Sequence, residues 1–371
     1  MIKYLYILLL LALNIILADE SIENRIYYFK NGPNLVSFDV LPDDATINNI
    51  FSNVQDNIIA IISSGEISYN TNNSWAGNLT EINGNDGYWV ITSDVTLINL
   101  EGIDNEAEGY YLNPGANLIS YPFNSVQTLE QALPFYIYNN ISAIIGEDEA
   151  ALFYNNQIFG SLDQFEPNKG YWFLTTNGIP FQYNNPILED VVNEDLNHTY
   201  EEDLIESYNQ STLQSVFFID KAFYNGSEIN FNDDLIVQCN NVIVGNKKWQ
   251  GQMTDLIAMG NDGYGNTDNY CEDLQNISIL INKNDSYTDM NIIGNKMWEN
   301  NNISIISISD FELGDTNLDN NINITDIIII IDHIINNNQI INPQELFLSD
   351  VNHDESINVT DVIFILDLII E

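Results

Sequence analysis

Asn34-Leu35-Val36-Ser37-Phe38 returns as Asn117-Leu118-Ile119-Ser120-Tyr121, 83 residues further along the chain. Ala60-Ile61-Ile62 returns as Ala143-Ile144-Ile145, Gly87-Tyr88-Trp89 as Gly170-Tyr171-Trp172, and Gly77 as Gly160, all at that offset. A constant offset over such a length means two copies of one structural unit. Each copy reads as a strand at the N-L-[VI]-S-[FY] segment, a short helix over 47–54 or 129–133, and short strands ending in Gly-Tyr-Trp. The helix follows from Ile47, Ile50 and Val54 at steps of three and four after the acidic Asp43-Asp44. The strands follow from β-branched and aromatic runs between turn clusters such as Asn83-Gly84-Asn85-Asp86-Gly87. Two small β-rich repeats, 26–100 and 109–183, are the expectation.

An acidic stretch poor in aromatics, 184–210, reads as a linker. Beyond it Ser215-Val216-Phe217-Phe218-Ile219, Asp234-Leu235-Ile236-Val237-Gln238, Asn241-Val242-Ile243-Val244-Gly245 and Ile277-Ser278-Ile279-Leu280-Ile281 are strand-like and separated by turn residues. They predict a β-sandwich over 211–310. Cys239 and Cys271 are compatible with one disulfide in an oxidising compartment, the alternative being two free buried thiols. Asp262 and Asp268 are a conceivable cation pair, but Asn261-Asp262-Gly263 is first a turn signal.

The narrowest chemistry lies at the C-terminal end. Asp315, Asn317, Asp319, Asn323 and Asp326 occupy steps 1, 3, 5, 9 and 12 of a twelve-residue loop, and Asp350, Asn352, Asp354, Asn358 and Asp361 repeat the pattern. A hard cation wants six to eight oxygens at about 2.3–2.6 Å, and this spacing wraps carboxylate and amide oxygens around one point. Asn321 and Ser356, at step 7, are expected to offer backbone carbonyls, and Asn323 and Asn358 to act through water. Calcium, Ca2+, is the predicted ion. Apolar residues recur at helical spacing after each loop, as in Ile327, Ile331, Ile334 and Val362, Leu366, Ile369. No helix is expected before either loop, over 307–313 or 342–348.

A loop followed by one helix, duplicated within 314–371, resembles the type I dockerin module. Gly314-Asp315-Thr316-Asn317-Leu318-Asp319-Asn320-Asn321-Ile322-Asn323-Ile324-Thr325-Asp326 keeps that family's D-x-N-x-D-G-x-I-N-x-x-D loop except for its glycine. Asn320 replaces the glycine in the first loop and Glu355 in the second. Asn tolerates a left-handed backbone and Glu does so poorly, so the second loop is expected to be the weaker or more strained. The resemblance implies docking onto a cohesin-like or other surface protein through the helix starts, at Ile324, Thr325, Val359 and Thr360. The upstream repeats and the 211–310 module resemble non-catalytic modules found beside dockerins in secreted bacterial proteins.

Residues 1–18, with Lys3 followed by an apolar run to Leu17 and then Ala18, read as a secretory signal peptide, an uncleaved anchor being the alternative. The setting expected is secreted or cell-surface. With 54 acidic residues against nine Lys and Arg, the chain has no basic patch to neutralise phosphates, which sets aside nucleic acid and anionic membranes. His198 falls in the linker and His333 and His353 in the C-terminal module, leaving no histidine for a nucleophilic site in the β modules. Two carboxylates suffice for a glycosidase, so an enzyme of polysaccharide breakdown is the alternative reading. A structural adhesion protein is a third. Tyr88, Trp89, Tyr171 and Trp172 suggest glycan stacking, but neighbours on a strand face opposite ways, so one of each pair is expected in the core. Trp75, in a polar turn, is the better candidate for an exposed ring. The sum is a mainly β multi-domain chain with a small α C-terminal module, a non-catalytic binding or assembly component.

Overall fold

A computed structural model describes residues 22–72, 74–104, 109–187, 208–264, 266–283, 286–336, 340 and 342–370. The proposed signal peptide, 1–18, and most of the acidic linker lie outside the described residues. The chain divides into two compact units, one built mainly from residues up to 110 and the other mainly from residues beyond 110.

In the first repeat the strands run in the order Gly32–Ser37, Gly87–Thr92, Ile58–Ser63, Glu66–Asn70, Trp75–Gly77. In the second they run Gly115–Ser120, Gly170–Thr175, Ile141–Ile145, Ala150–Tyr154, Gln157–Gly160. The pairings of the first repeat are antiparallel, as are those among Gly170–Thr175, Ile141–Ile145, Ala150–Tyr154 and Gln157–Gly160, and the register repeats at the sequence offset: Ala60 faces Tyr69 as Ala143 faces Leu152. Even the irregularity between Ile58 and Ala60 returns between Ile141 and Ala143. Such a bulge bends its strand and is a designed feature of the unit, not a defect.

The short helices are Ile47–Ile50, capped by Thr46, and Leu129–Ala132, where Thr128 and Gln131 form a capping box. The first stops short of the predicted 54. The Ser52 hydroxyl donates back to the Asn49 carbonyl at 2.9 Å, a local bond that competes with continuing the helix.

Phe29, Phe38, Phe51, Tyr88 and Val90 form the core of the first unit. Beside it a buried Asp39 carboxylate accepts from Arg25 Nε and from the Tyr27 hydroxyl, both at 2.8 Å. The aromatic expectations need correction here. Tyr88 and Trp89 are both about 1 % exposed, because every residue of Gly87–Thr92 is buried and the strand has no solvent face. Tyr171 is buried and Trp172 half-buried against the core of the second unit. Trp75 packs against Phe51, ring centroids 6.2 Å apart, so it is not an exposed platform.

In the second unit the predicted strands at 215–219 and 234–238 fall within longer ones, and those at 241–245 and 277–281 match observed strands that begin one residue later, at Val242 and Ser278. An eight-stranded sheet runs Ser227–Glu228, Gln214–Tyr224, Ile303–Ser309, Ser286–Gly294, Ser278–Lys283, Asp234–Cys239, Val242–Lys248, and Thr254–Met259 pairs with Gln214–Tyr224. Gln214–Tyr224 and Ile303–Ser309 are parallel, while the other pairings are antiparallel. Cys239 and Cys271 form a disulfide with Cα atoms 5.2 Å apart. Its hydrophobic core joins Val216, Phe217, Leu235 and Val237 to Ala143, Leu152 and Leu174 of the second repeat. Buried Asp255 fastens the same junction, accepting from Ala150 N at 3.1 Å and Ser161 Oγ at 2.7 Å.

Three helices complete the unit: Ile324–Asn336, Pro343–Ser349 and Val359–Ile370. Among the described residues no helix is long and apolar enough to cross a membrane.

Candidate functional site

The two acidic loops share most of their hydrogen bonds, the second adding a step-2 amide, Val351 N, on its last carboxylate. In the first, the Asp315 carboxylate accepts from Asp319 N at 3.1 Å and Asn320 N at 2.8 Å, and Asp326 accepts from Asn317 N at 3.1 Å and Asn323 N at 2.8 Å. In the second, Asp350 accepts from Asp354 N at 3.1 Å and Glu355 N at 2.9 Å, and Asp361 accepts from Val351 N at 2.9 Å and Asn358 N at 2.8 Å. Steps 3 and 5 are linked in both loops, Asn317 Nδ2 donating to Asp319 at 3.0 Å and Asn352 Nδ2 to Asp354 at 2.9 Å. Asn323 and Asn358, at step 9, donate to the step-7 carbonyls of Asn321 and Ser356. Amide donors thus hold the first and last carboxylates in place by part of their oxygen capacity, leaving lone pairs over.

Asp326 and Asp361 are fully buried and Asp315 is about 1 % exposed. Among the described residues none of the three forms an ion pair. Burial raises the Asp315 carboxyl above its usual range, against the bonds from the amides of 319 and 320, and the charges of Asp326 and Asp319 add to the rise. Buried like charges with hard oxygen donors are costly unless a cation joins them. That fits a divalent, oxygen-seeking ion.

The turn at step 6 carries a left-handed residue in both copies, Asn320 at φ 65° and Glu355 at φ 66°. Step 8 points inward. Ile322 and Ile357 pack with Val351 and Val362 around Ile327, Ile330 and Ile365, so the loops and their helices share one small core.

Contrary to the expectation for 342–348, a helix precedes the second loop. Asn342 caps it, its side chain accepting from Gln344 N at 2.9 Å, and Pro343 takes the first turn where no amide is needed. Seven residues are too few for periodicity to reveal, but Asn342-Pro343 was a legible start signal. Before the first loop the strand Ile303–Ser309 occupies the place of a helix.

This helix docks the module on the eight-stranded domain. Phe347 packs on Phe223, ring centroids 5.1 Å apart, with Leu348 fully buried beside them. Gln344, also fully buried, donates to Ser309 Oγ at 2.8 Å and Asp310 at 2.6 Å and accepts from Gly226 N at 2.5 Å.

Ile324 and Val359, 59 % and 61 % exposed, begin the two longer helices, with Thr325 and Thr360 exposed beside them. The apolar exposure continues at Ile328, Ile331 and Ile335 on one helix and Ile363 and Phe364 on the other. Exposed apolar patches of this kind are the usual signature of interaction surfaces in general. Asp262 serves its turn, accepting from Tyr264 N at 2.9 Å, Thr267 Oγ1 at 2.7 Å and Thr212 N at 2.8 Å, while Asp268 is exposed.

Comparison with curated proteins and with solved structures returned no match. Residues 313–367 match the model of the dockerin type I domain. Type I dockerin domains bind calcium, and dockerin domains bind cohesin domains. Duplicated oxygen loops, each feeding a helix whose start is exposed and apolar, are the matched region's own features, and the chain is thus a dockerin-bearing protein, with its type I dockerin domain at 313–367.

Proposed function

We propose that this is a secreted, non-catalytic component that attaches to a cohesin-like partner at the cell surface through a calcium-ordered dockerin. The observation that carries the reading is the coupling of buried loop carboxylates to the exposed ridges: Asp326 and Asp361 lie two residues after Ile324 and Val359. In the first loop, side chains of Asp315, Asn317, Asp319 and Asp326 and the carbonyl of Asn321 would hold one ion, with Asn323 acting through water. In the second, Asp350, Asn352, Asp354, Asp361 and the carbonyl of Ser356 would hold another, with Asn358 in the place of Asn323. Bound calcium supplies the positive charge that these carboxylates lack. The loop backbone then fixes where each helix starts, and with it the spacing of Ile324, Thr325, Val359 and Thr360.

His333 Nδ1 accepts from Ile340 N at 3.3 Å and His353 stacks on Phe347, so both serve the dockerin's own packing. The test is capture of the full chain by an immobilised type I cohesin with calcium and with chelator, alongside a reducing-end assay on polysaccharides. Calcium-dependent capture without reducing-end release is expected. Capture unaffected by chelator, or release of reducing ends, would overturn the proposal.

A further inference from the structure

The second repeat carries an aromatic surface that the first lacks. After Pro134 a tight turn, Phe135–Ile137, leaves Phe135 74 % and Tyr136 56 % exposed. The rings continue in series, Phe135 to Tyr138 and Tyr138 to Phe153 each 5.3 Å between centroids. Tyr154, 45 % exposed, ends the strand Ala150–Tyr154. Tyr138, Phe153 and Tyr154 line an open cleft of about 520 Å³ together with Asn139, Gln157 and Thr176.

At the 83-residue offset the first repeat has Ser52, Asn53, Gln55, Asn70 and Thr71 in place of these five rings. Strand order and register are nonetheless the same in both copies. The shared fold therefore has no need of the rings. Three of them stand in solvent, where they contribute little to a core.

Charge narrows the ligand. In a chain with 54 acidic residues, no Asp, Glu, Lys, Arg or His lines this cleft. Burial and then the charge of Glu130 raise the Tyr138 phenol, so an anion approaching it would meet a negative field and no cation. An apolar segment would bury the side-chain amides of Asn139 and Gln157 without supplying partners, which costs about 1–3 kcal/mol for each group left unsatisfied. A neutral sugar chain meets both halves of the surface, its ring hydrogens facing the aromatic planes and its hydroxyls facing amides and hydroxyls.

We infer that this cleft, together with the exposed turn joined to it by the Phe135–Tyr138 ring contact, binds a neutral polysaccharide, with pyranose rings stacked on Tyr154 in the cleft and on Phe135 and Tyr136 at the turn, and hydroxyls bonded by Asn139 and Gln157. The inference rests on the non-catalytic reading given above and names the ligand class of its β modules.

Affinity electrophoresis of the full chain through native gels containing a glucan, a xylan, a mannan or, as acidic control, polygalacturonate tests it. The informative variant is the triple Phe135→Ser, Tyr136→Asn, Tyr154→Thr, which installs residues the first repeat already folds with. At least one neutral polysaccharide should retard the wild-type chain, and the triple variant should bind it about tenfold more weakly or less, with an unchanged melting curve. Retardation by no neutral polysaccharide, retardation by polygalacturonate alone, or equal retardation of variant and wild type would each overturn the inference. So would ring-dependent self-association in light scattering without retardation. Reducing ends measured in the same mixtures separate the two claims: ring-dependent binding with release sinks the non-catalytic reading alone, and ring-independent behaviour without release sinks the cleft alone.

Discussion

Glu355 occupies a backbone conformation that glycine adopts freely and a side chain with a Cβ resists, at φ 66°. The left-handed region costs an ordinary residue roughly 1–2 kcal/mol, so the second loop is folded against a penalty that asparagine softens in the first. Glu355→Gly should tighten calcium binding at the second loop by about 1 kcal/mol, near fivefold, with a smaller gain for Asn320→Gly. Calorimetry of both variants checks it, and equal or absent gains would show that strain does not set the order of the sites. Asp255 supports a different prediction. Its carboxyl is raised above the ordinary value of 3.8 because burial outweighs Lys247, whose Nζ lies 3.6 Å away. A raised folded pKa means that the native state binds the proton more strongly, so this group's contribution is fullest below about pH 4 and is lost as pH rises through the folded value. Asp255→Asn should therefore gain on the wild type between pH 4 and pH 7, in melting temperatures measured side by side. A pH-independent difference would refute the assignment.

The helix Pro343–Ser349 is the element that makes the dockerin part of the second unit, since it alone supplies both Gln344 and Phe347 to the neighbouring domain. Phe347→Ala should cost about 3 kcal/mol of dockerin stability, the usual scale for emptying a buried aromatic site, read from calcium-saturated melts. A loss below about 1 kcal/mol would mean that the contact is incidental. What was legible in the sequence divides at this scale. The 83-residue offset gave two units with the same strand order, and the loop spacing gave both helices after the loops, because each signal is repeated and long. The helix before the second loop is a single short segment held by its cap and by tertiary packing, which no local period encodes. The Gly-Tyr-Trp strands misled for a related reason: alternation predicts one solvent face, but these strands lie inside their sheets, and Gly87–Thr92 is covered on both sides. The rings at Phe135, Tyr136 and Tyr138 were readable as a departure of the second copy from the first, a comparison that attention to the shared Gly-Tyr-Trp passes over.

At the scale of the molecule, the parts differ in what they ask of the solvent. The eight-stranded domain has a disulfide and a wide core, whereas the dockerin has a handful of buried isoleucines and three buried carboxylates. Small folds of that kind draw much of their stability from a bound ion. Chelation should therefore strip hydrogen-exchange protection from Ile324–Asn336 and Val359–Ile370 while Gln214–Tyr224 and Ile303–Ser309 keep theirs. Loss of protection in all four together would show a single cooperative unit. The parallel pairing of those two strands has one more consequence. The chain enters this domain at the start of one and leaves toward the dockerin from the end of the other, at opposite ends of a ladder of seven aligned residue pairs. When the dockerin is tethered and flow drags on the rest, the strands are pulled past each other in shear and the ladder resists as a whole, where an antiparallel pair of terminal strands would unzip rung by rung.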